Sequence, residues 1–232
     1  MGFENFKVTA HMNTPVASVD YIILDSVISC AVAKEKLKDE YYNGENKYGT
    51  KEEIDNWLGD ILDKNKEVYC TSIGFGDCLE SVTSWSKRFD SKNDDIINFT
   101  GKGKKRVDIG GGYFKNYHMP IVLKSFKTIT FYVRGDMEKV KHLLENYIFY
   151  LGKKGSQGFG EVDLWEFEKI ENDYSLFKDG EVMRPLPARL CDLENIENYK
   201  VQNYAIVPPY WREDNIELCV MPNSINCQEG VK

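Results

Sequence analysis

Histidine is scarce in this chain of 232 residues: only His11, His118 and His142 are present. Its six cysteines, Cys30, Cys70, Cys78, Cys191, Cys219 and Cys227, form no CxxC or CxxxxC pair. A zinc site needs closely spaced thiolates and imidazoles, so this pattern gives one little support, and no metal or cofactor is expected. It indicates reduced thiols that mostly fill space, as in a cytoplasmic protein. No run of about 18 apolar residues occurs, so no membrane span is expected. The opening MGFENFKVTAHMNT has neither a basic head nor an apolar stretch, so a secretory signal is not expected either. The chain also has no internal repeat and no extended low-complexity segment.

Hydrophobic residues make up 42% of the chain, enough to bury a sizeable core. The net charge of −7 argues at first against a nucleic-acid partner. Its distribution argues the other way. Between Gly101 and Gly160 twelve Lys or Arg stand against four Asp or Glu, so the remainder carries about −15. Such asymmetry suits one basic face on an otherwise acidic body, although scattered solvated lysines would give the same count.

FKVTAHM alternates in polarity and predicts a half-buried strand. From Leu24 the spacing becomes helical, with Leu24, Val27, Ile28 and Ala31 on one face. TKEEIDNWLGDIL predicts a second short helix, capped by Thr50 and burying Ile54, Trp57, Leu58 and Ile61. EVYCTSI and LESVTSWSKR read as two strands joined in a hairpin by GFGDC. Asp90 to Gly112 is polar, rich in glycine and lysine, and mostly irregular. KTITFYVRG is dense in β-branched and aromatic residues and predicts a strand. Asp136 is placed to cap the following helix, in which Val140, Leu143, Leu144, Tyr147, Ile148 and Leu151 share a face. EVDLWEFEKI alternates as a strand, and past Asn172 the pattern weakens into short strands and turns.

In this reading the first 170 or so residues run strand, helix, strand, strand, helix, strand. The predicted class is α+β: a ferredoxin-like or RRM-like βαββαβ domain over 1–172, with a basic insertion at about 90–120. A β-rich, acidic C-terminal extension over 173–232 is expected to pack on it.

Two segments carry candidate chemistry. YLGKKGSQGFGEV places Gly152, Gly155, Gly158 and Gly160 around Lys153, Lys154, Ser156, Gln157 and Phe159. Glycines let main-chain N–H groups approach a phosphate, lysines add charge, and Ser and Gln add hydrogen bonds. The segment is not a P-loop, since the GK[ST] ending is missing and a helix precedes it. Nor is it a dinucleotide fingerprint, which stands between a strand and the start of a helix. The alternative is a helix C-cap at Gly152 followed by a bulge into the strand. In TGKGKKRVDIGGGYFKNYHM, Lys102, Lys104, Lys105, Arg106 and Lys115 interleave with Tyr113, Phe114 and Tyr117. Cations and stacking rings are what a single-stranded nucleic-acid groove requires; a surface loop whose rings pack on their own domain is the alternative.

Catalytic groups are thin. His118 with Tyr117 and Lys115 is a set able to support metal-independent RNA cleavage. His142 reads as solvated, His11 as a packed strand residue, and Asp25 as a helix-terminus charge.

The glycine loop between the last helix and strand of a βαββαβ unit resembles the RAMP superfamily of CRISPR-associated proteins. LDSVISCAVAKE, GGGYFKNYHMP, LGKKGSQGFGEVDLWEFE and MRPLPARL narrow the resemblance, over roughly residues 5–190, to the type IV subunit that caps the 5′ end of the guide RNA. The resemblance implies a noncatalytic subunit of an effector complex. Such a subunit grips the 5′ handle of the CRISPR RNA, contacts other effector subunits and meets target nucleic acid through the complex. Gly152, Gly155, Gly158 and Gly160 would then face RNA, Lys153, Lys154 and Ser156 would contact phosphates, and the Lys102–Lys115 segment would reach RNA or a neighbour. A RAMP endoribonuclease acting on precursor RNA and a purely structural assembly subunit are the alternatives.

Overall fold

The computed structural model describes residues 2–17, 21–43, 51–90, 92, 107–193, 196, 199–223 and 227–229. The alternating N-terminal stretch forms β1 (Glu4–Met12), whose Phe6, Val8 and Ala10 are completely buried. β2 (Val16–Ala17), α1 (Leu24–Leu37), α2 (Asp39–Asn43) and α3 (Lys51–Gly59) follow. α1 buries Leu24, Ile28 and Ala31 as its spacing requires, with Val27 packed at the margin. In α3, Ile54 and Leu58 are buried; the expected cap, Thr50, lies outside the described residues.

β1 is the middle strand of an antiparallel sheet, between β7 (Thr128–Gly135) and β8 (Val162–Lys169). Val8 stands opposite Phe131 on one side and Phe167 on the other. α4 (Met137–Tyr147) starts where Asp136 accepts a 3.1 Å hydrogen bond from the Lys139 N–H, the expected cap. α4 packs against α1, and Val140, Leu143 and Leu144 join the inward residues of β1 and β7 in one core.

The expected second strand takes a different form. Only β3 (Lys64–Asn65) and β4 (Val68–Tyr69) are regular there, paired with each other. The chain then runs beside β7 through isolated bridges, Thr71 to Val133 and Phe75 to Thr130, both antiparallel. The glycines of GFGDC do not make a hairpin. A Cβ at Gly74 would fall 2.5 Å from Ile129 Cγ2, and one at Gly76 would fall 2.3 Å from the Thr128 carbonyl oxygen. They are bare so that this segment can lie against the start of β7.

LESVTSWSKR pairs elsewhere. β5 (Cys78–Lys87) and β6 (Tyr117–Phe126) form an antiparallel ribbon with ten residue pairs, from Cys78–Phe126 to Lys87–Tyr117. Most of its side chains are exposed or half-buried. The expected basic insertion at about 90–120 follows β5 in the chain and runs into β6, and its residues 91 and 93–106 lie outside the described residues. β2 pairs with the base of β6, and β14 (Cys227–Glu229) runs parallel to the start of β5.

The C-terminal part contains β9 (Phe177–Lys178) paired with β10 (Glu181–Val182), and a sheet of β11 (Leu186–Pro187), β13 (Ile216–Met221) and β12 (Lys200–Ala205). A buried ion pair ties it to α1. Arg184, fully buried, donates to Asp25 at 2.9 Å, to the Tyr69 carbonyl at 2.7 Å, and to the Ile206 carbonyl and Tyr210 hydroxyl at 2.8 Å. Tyr210 donates to the other Asp25 oxygen at 2.7 Å. Burial alone would lower the pKa of the guanidinium, but Asp25 and Tyr210 outweigh it and raise it. Asp25 stands in the first turn of α1, as its sequence position indicates, and is also the counter-charge of a buried arginine 159 residues away.

Cys30, Cys70, Cys191 and Cys219 are free thiols, as expected, whereas Cys78 is disulfide-bonded. Burial raises the Cys70 and Cys219 thiols to about 11. Among the described residues no helix is long and apolar enough to cross a membrane, and no cluster of three His, Cys, Asp or Glu could hold a metal ion.

Candidate nucleic-acid interface

α4 ends at Tyr147, capped by Ile148, so the glycine loop begins only after four further residues. Gly152 is not the helix cap. The loop is tied to residues 14–17: Lys153 N–H donates to the Ala17 carbonyl at 2.8 Å and Gly160 N–H to the Pro15 carbonyl at 2.8 Å. Thr14 Oγ1 donates to the Gly158 carbonyl at 2.7 Å and accepts from Glu161 N–H at 2.8 Å. Gly160 has φ +75°, and a Cβ there would sit 1.9 Å from the Leu151 carbonyl oxygen. Gly152 has φ +81° and would drive a Cβ to 2.7 Å from Val16 Cγ1. Both glycines thus answer to the closure of this loop on the chain.

The amides expected to meet phosphate are partly spent. Besides Lys153 and Gly160, Gln157 N–H donates to the Lys154 carbonyl and Gly158 N–H to the Gly155 carbonyl, both at 2.9 Å. What the loop offers outward is side chains. Lys153, Ser156 and Gln157 are exposed on and beside the 3₁₀ turn Gly155–Gln157, while Phe159 is half-buried. Lys154 occupies the left-handed region at φ +62°, and this backbone turn sends its side chain toward the ribbon.

Lys154 Nζ lies 4.8 Å from the centre of the Trp85 ring on β5, a cation–π contact. Trp85 Nε1 donates to the Tyr117 hydroxyl at 2.8 Å. β2 joins the same two parts through the backbone, since Ala17 pairs with Leu123 of β6 and bridges Lys153. Two predicted segments that are distant in sequence therefore meet, through a tryptophan that neither contains. Further along the ribbon, Lys87 Nζ sits 4.8 Å from the Tyr113 ring, which is 81% exposed. Lys115 is exposed in the turn; Lys102, Lys104, Lys105 and Arg106 lie outside the described residues.

Many basic side chains elsewhere are neutralised in place: Lys7 by Glu168, Lys169 by Glu4, Arg134 by Asp63, and Arg189 by Glu67 and Glu217. Among the described residues Lys87, Lys115, Lys153 and Lys154 have no carboxylate partner. No carboxylate among the described residues offsets their charge, which suits a polyanion.

The candidate nuclease set is divided by the pleat. Successive strand residues face opposite sides, so Tyr117 shares a face with Trp85 while His118 points away and bonds Ser86 Oγ at 2.6 Å. His142 bonds Glu35 at 3.0 Å and His11 bonds Glu166 at 3.1 Å. Trp85 and Lys87 are not among the residues singled out from the sequence, yet they meet Lys154 and Tyr113. The alternation in SVTSWSKR places a ring and a cation two residues apart, hence on one face, and that was the available signal.

The family model described as CRISPR type IV associated protein Csf3 matches residues 4–222. The chain belongs to the Csf3 family. No curated protein matches. Among solved structures, the cryo-EM structure of the type III-B Cmr-beta bound to cognate target RNA contains a similar chain, with a TM-score of 0.36 and 11% identity. The likeness covers 72% of this Csf3-family chain and 61% of that one, so this chain spans about three fifths of the other's length.

Proposed function

We propose that this chain is a noncatalytic RNA-binding subunit of a type IV effector complex, gripping the 5′ handle of the guide RNA and contacting backbone subunits. The observation that carries the reading is the contact between Lys154 of the glycine loop and Trp85 of the ribbon, with Tyr117 bonded to the same ring. It makes one surface of cations and stacking rings out of separate segments. Lys153 and Lys154 meet phosphates, Ser156 and Gln157 add hydrogen bonds, and Trp85, Tyr113 and Tyr117 stack on bases. The basic segment of Lys102, Lys104, Lys105, Arg106 and Lys115 reaches RNA or the neighbouring subunit. Target nucleic acid meets the chain only through the assembled cytoplasmic complex.

In this reading residues 1–172 form a ferredoxin-like RAMP domain, and 173–232 a β-rich extension packed on it. β1, β7 and β8 are three of its sheet strands, and the bridged segment from Cys70 to Phe75 takes the place of the fourth.

The test is a double-mutant cycle on binding of a fluorescent RNA carrying the 5′ handle. Lys154→Ala and Trp85→Ala should each weaken binding, and together cost less than the two single effects combined, because they act as one contact. Full affinity in both single variants would refute the reading.

A further inference from the structure

Beside the glycine loop lies a cleft of about 350 Å³, between the start of α1, the Tyr150–Lys153 segment and the C-terminal sheet. We propose that it is a pocket for one unstacked nucleobase of the bound RNA; this rests on the function proposed above and extends the interface into the C-terminal part.

The lining favours a base. Tyr21 and Tyr204 meet edge to face at 6.4 Å, and Tyr204 and Tyr210 are tilted at the same separation. Tyr150, 43% exposed, also lines the cleft. The hydroxyls of Tyr21 and Tyr210 are committed to structural hydrogen bonds, to the Pro222 carbonyl at 3.1 Å and to Asp25 at 2.7 Å. These rings are therefore held in place, and a flat apolar guest meets a platform whose ordering cost is already met by folding. Stacking on such rings is what holds unpaired bases in single-stranded RNA sites.

The electrostatics fit the same guest. None of the described lining residues is acidic, in a chain whose net charge is −7, and Lys153 is the one cation among them. Lys153 and Gly152 belong both to this cleft and to the glycine loop, so a strand gripped by the loop passes its mouth. A volume near 350 Å³ lies at the small end of ligand pockets, as suits a nucleoside. A second hollow of about 230 Å³ shares Ser26, Cys30 and Tyr210 with the first and ends at Trp211, which is 68% exposed. It offers the next base a surface.

Two 12-nucleotide probes test this, an oligouridylate and an abasic ribose-phosphate of equal charge, each titrated against the full chain by fluorescence anisotropy. The variants are Tyr150→Ala, which strips one wall, and Ser26→Phe, which fills the cleft from α1. Each should weaken oligouridylate binding by about tenfold and leave abasic binding unchanged, which also shows that the variant is folded. Equal affinity of wild type and both variants for oligouridylate would remove the pocket and leave the handle-gripping reading standing. An equal loss for both probes would also remove it, since the bases would then play no part. Failure of the wild-type chain to bind either probe would overturn the pocket and the proposed function together.

Discussion

Removing the Asp25 carboxylate should cost the protein a large part of its stability. In Asp25→Ala the Arg184 guanidinium, fully enclosed, loses its counter-charge but keeps the carbonyls of Tyr69 and Ile206 and the Tyr210 hydroxyl. Breaking a buried pair by deleting one partner typically costs about 3–5 kcal/mol. Tyr210 also loses its acceptor, worth ~1 kcal/mol. Against a usual total of roughly 5–15 kcal/mol, this is enough to leave the chain partly unfolded at moderate urea. The double variant Asp25→Ala/Arg184→Met should recover most of the loss, because an apolar side chain of similar length removes the stranded charge. Urea denaturation followed by circular dichroism measures both. A loss below about 1 kcal/mol in Asp25→Ala would contradict a stranded charge at Arg184, since a buried charge without its partner costs more than that. So would a double variant no more stable than the single one.

Gly160→Ala should destabilise the loop by at least ~2 kcal/mol, since it combines positive φ with a collision against the Leu151 carbonyl. Gly158→Ala, at φ +84° with open space around its Cβ, should cost only about 1 kcal/mol; equal melting temperatures for the two variants would contradict this. Burial keeps the Cys70 and Cys219 thiols protonated to about pH 11, above the ordinary value near 8.5. Their contribution to stability is complete below the unfolded pKa and is lost as pH rises through the folded one. The melting temperature of Cys70→Ser should therefore vary less steeply than wild type between about pH 9 and 11; parallel curves would refute the assignment. Precursor repeat RNA incubated with the chain in EDTA should remain uncut; site-specific cutting abolished by His118→Ala would install a nuclease in place of the proposed function.

The elements read most clearly from sequence are those with one buried face. β1, β7, α4 and β8 each pair an apolar side with a polar one, and their periodicity marks them. The ribbon was harder: β5 and β6 are solvated over much of both faces, so no buried apolar face sets their register. Pro120 breaks the strand pattern of β6 further. Reading GFGDC as a turn followed from local glycine chemistry, whereas its glycines answer to contact with β7, far along the chain. The same holds for the site. The lysines and glycines of the loop were visible, but Trp85 joins them only through folding. The Arg184–Asp25 pair spans too much sequence to be inferred from either residue alone.

In the proposed function the glycine loop presents Lys153 and Lys154 to an RNA backbone. The most direct test is the salt dependence of binding to the 5′ handle, wild type against Lys153→Ala/Lys154→Ala. A single strand contributes about 0.7 to the slope of log K against log salt for each phosphate neutralised. The double variant should bind more weakly and lose about 1.4 of that slope. Unchanged affinity with an unchanged slope would contradict that role.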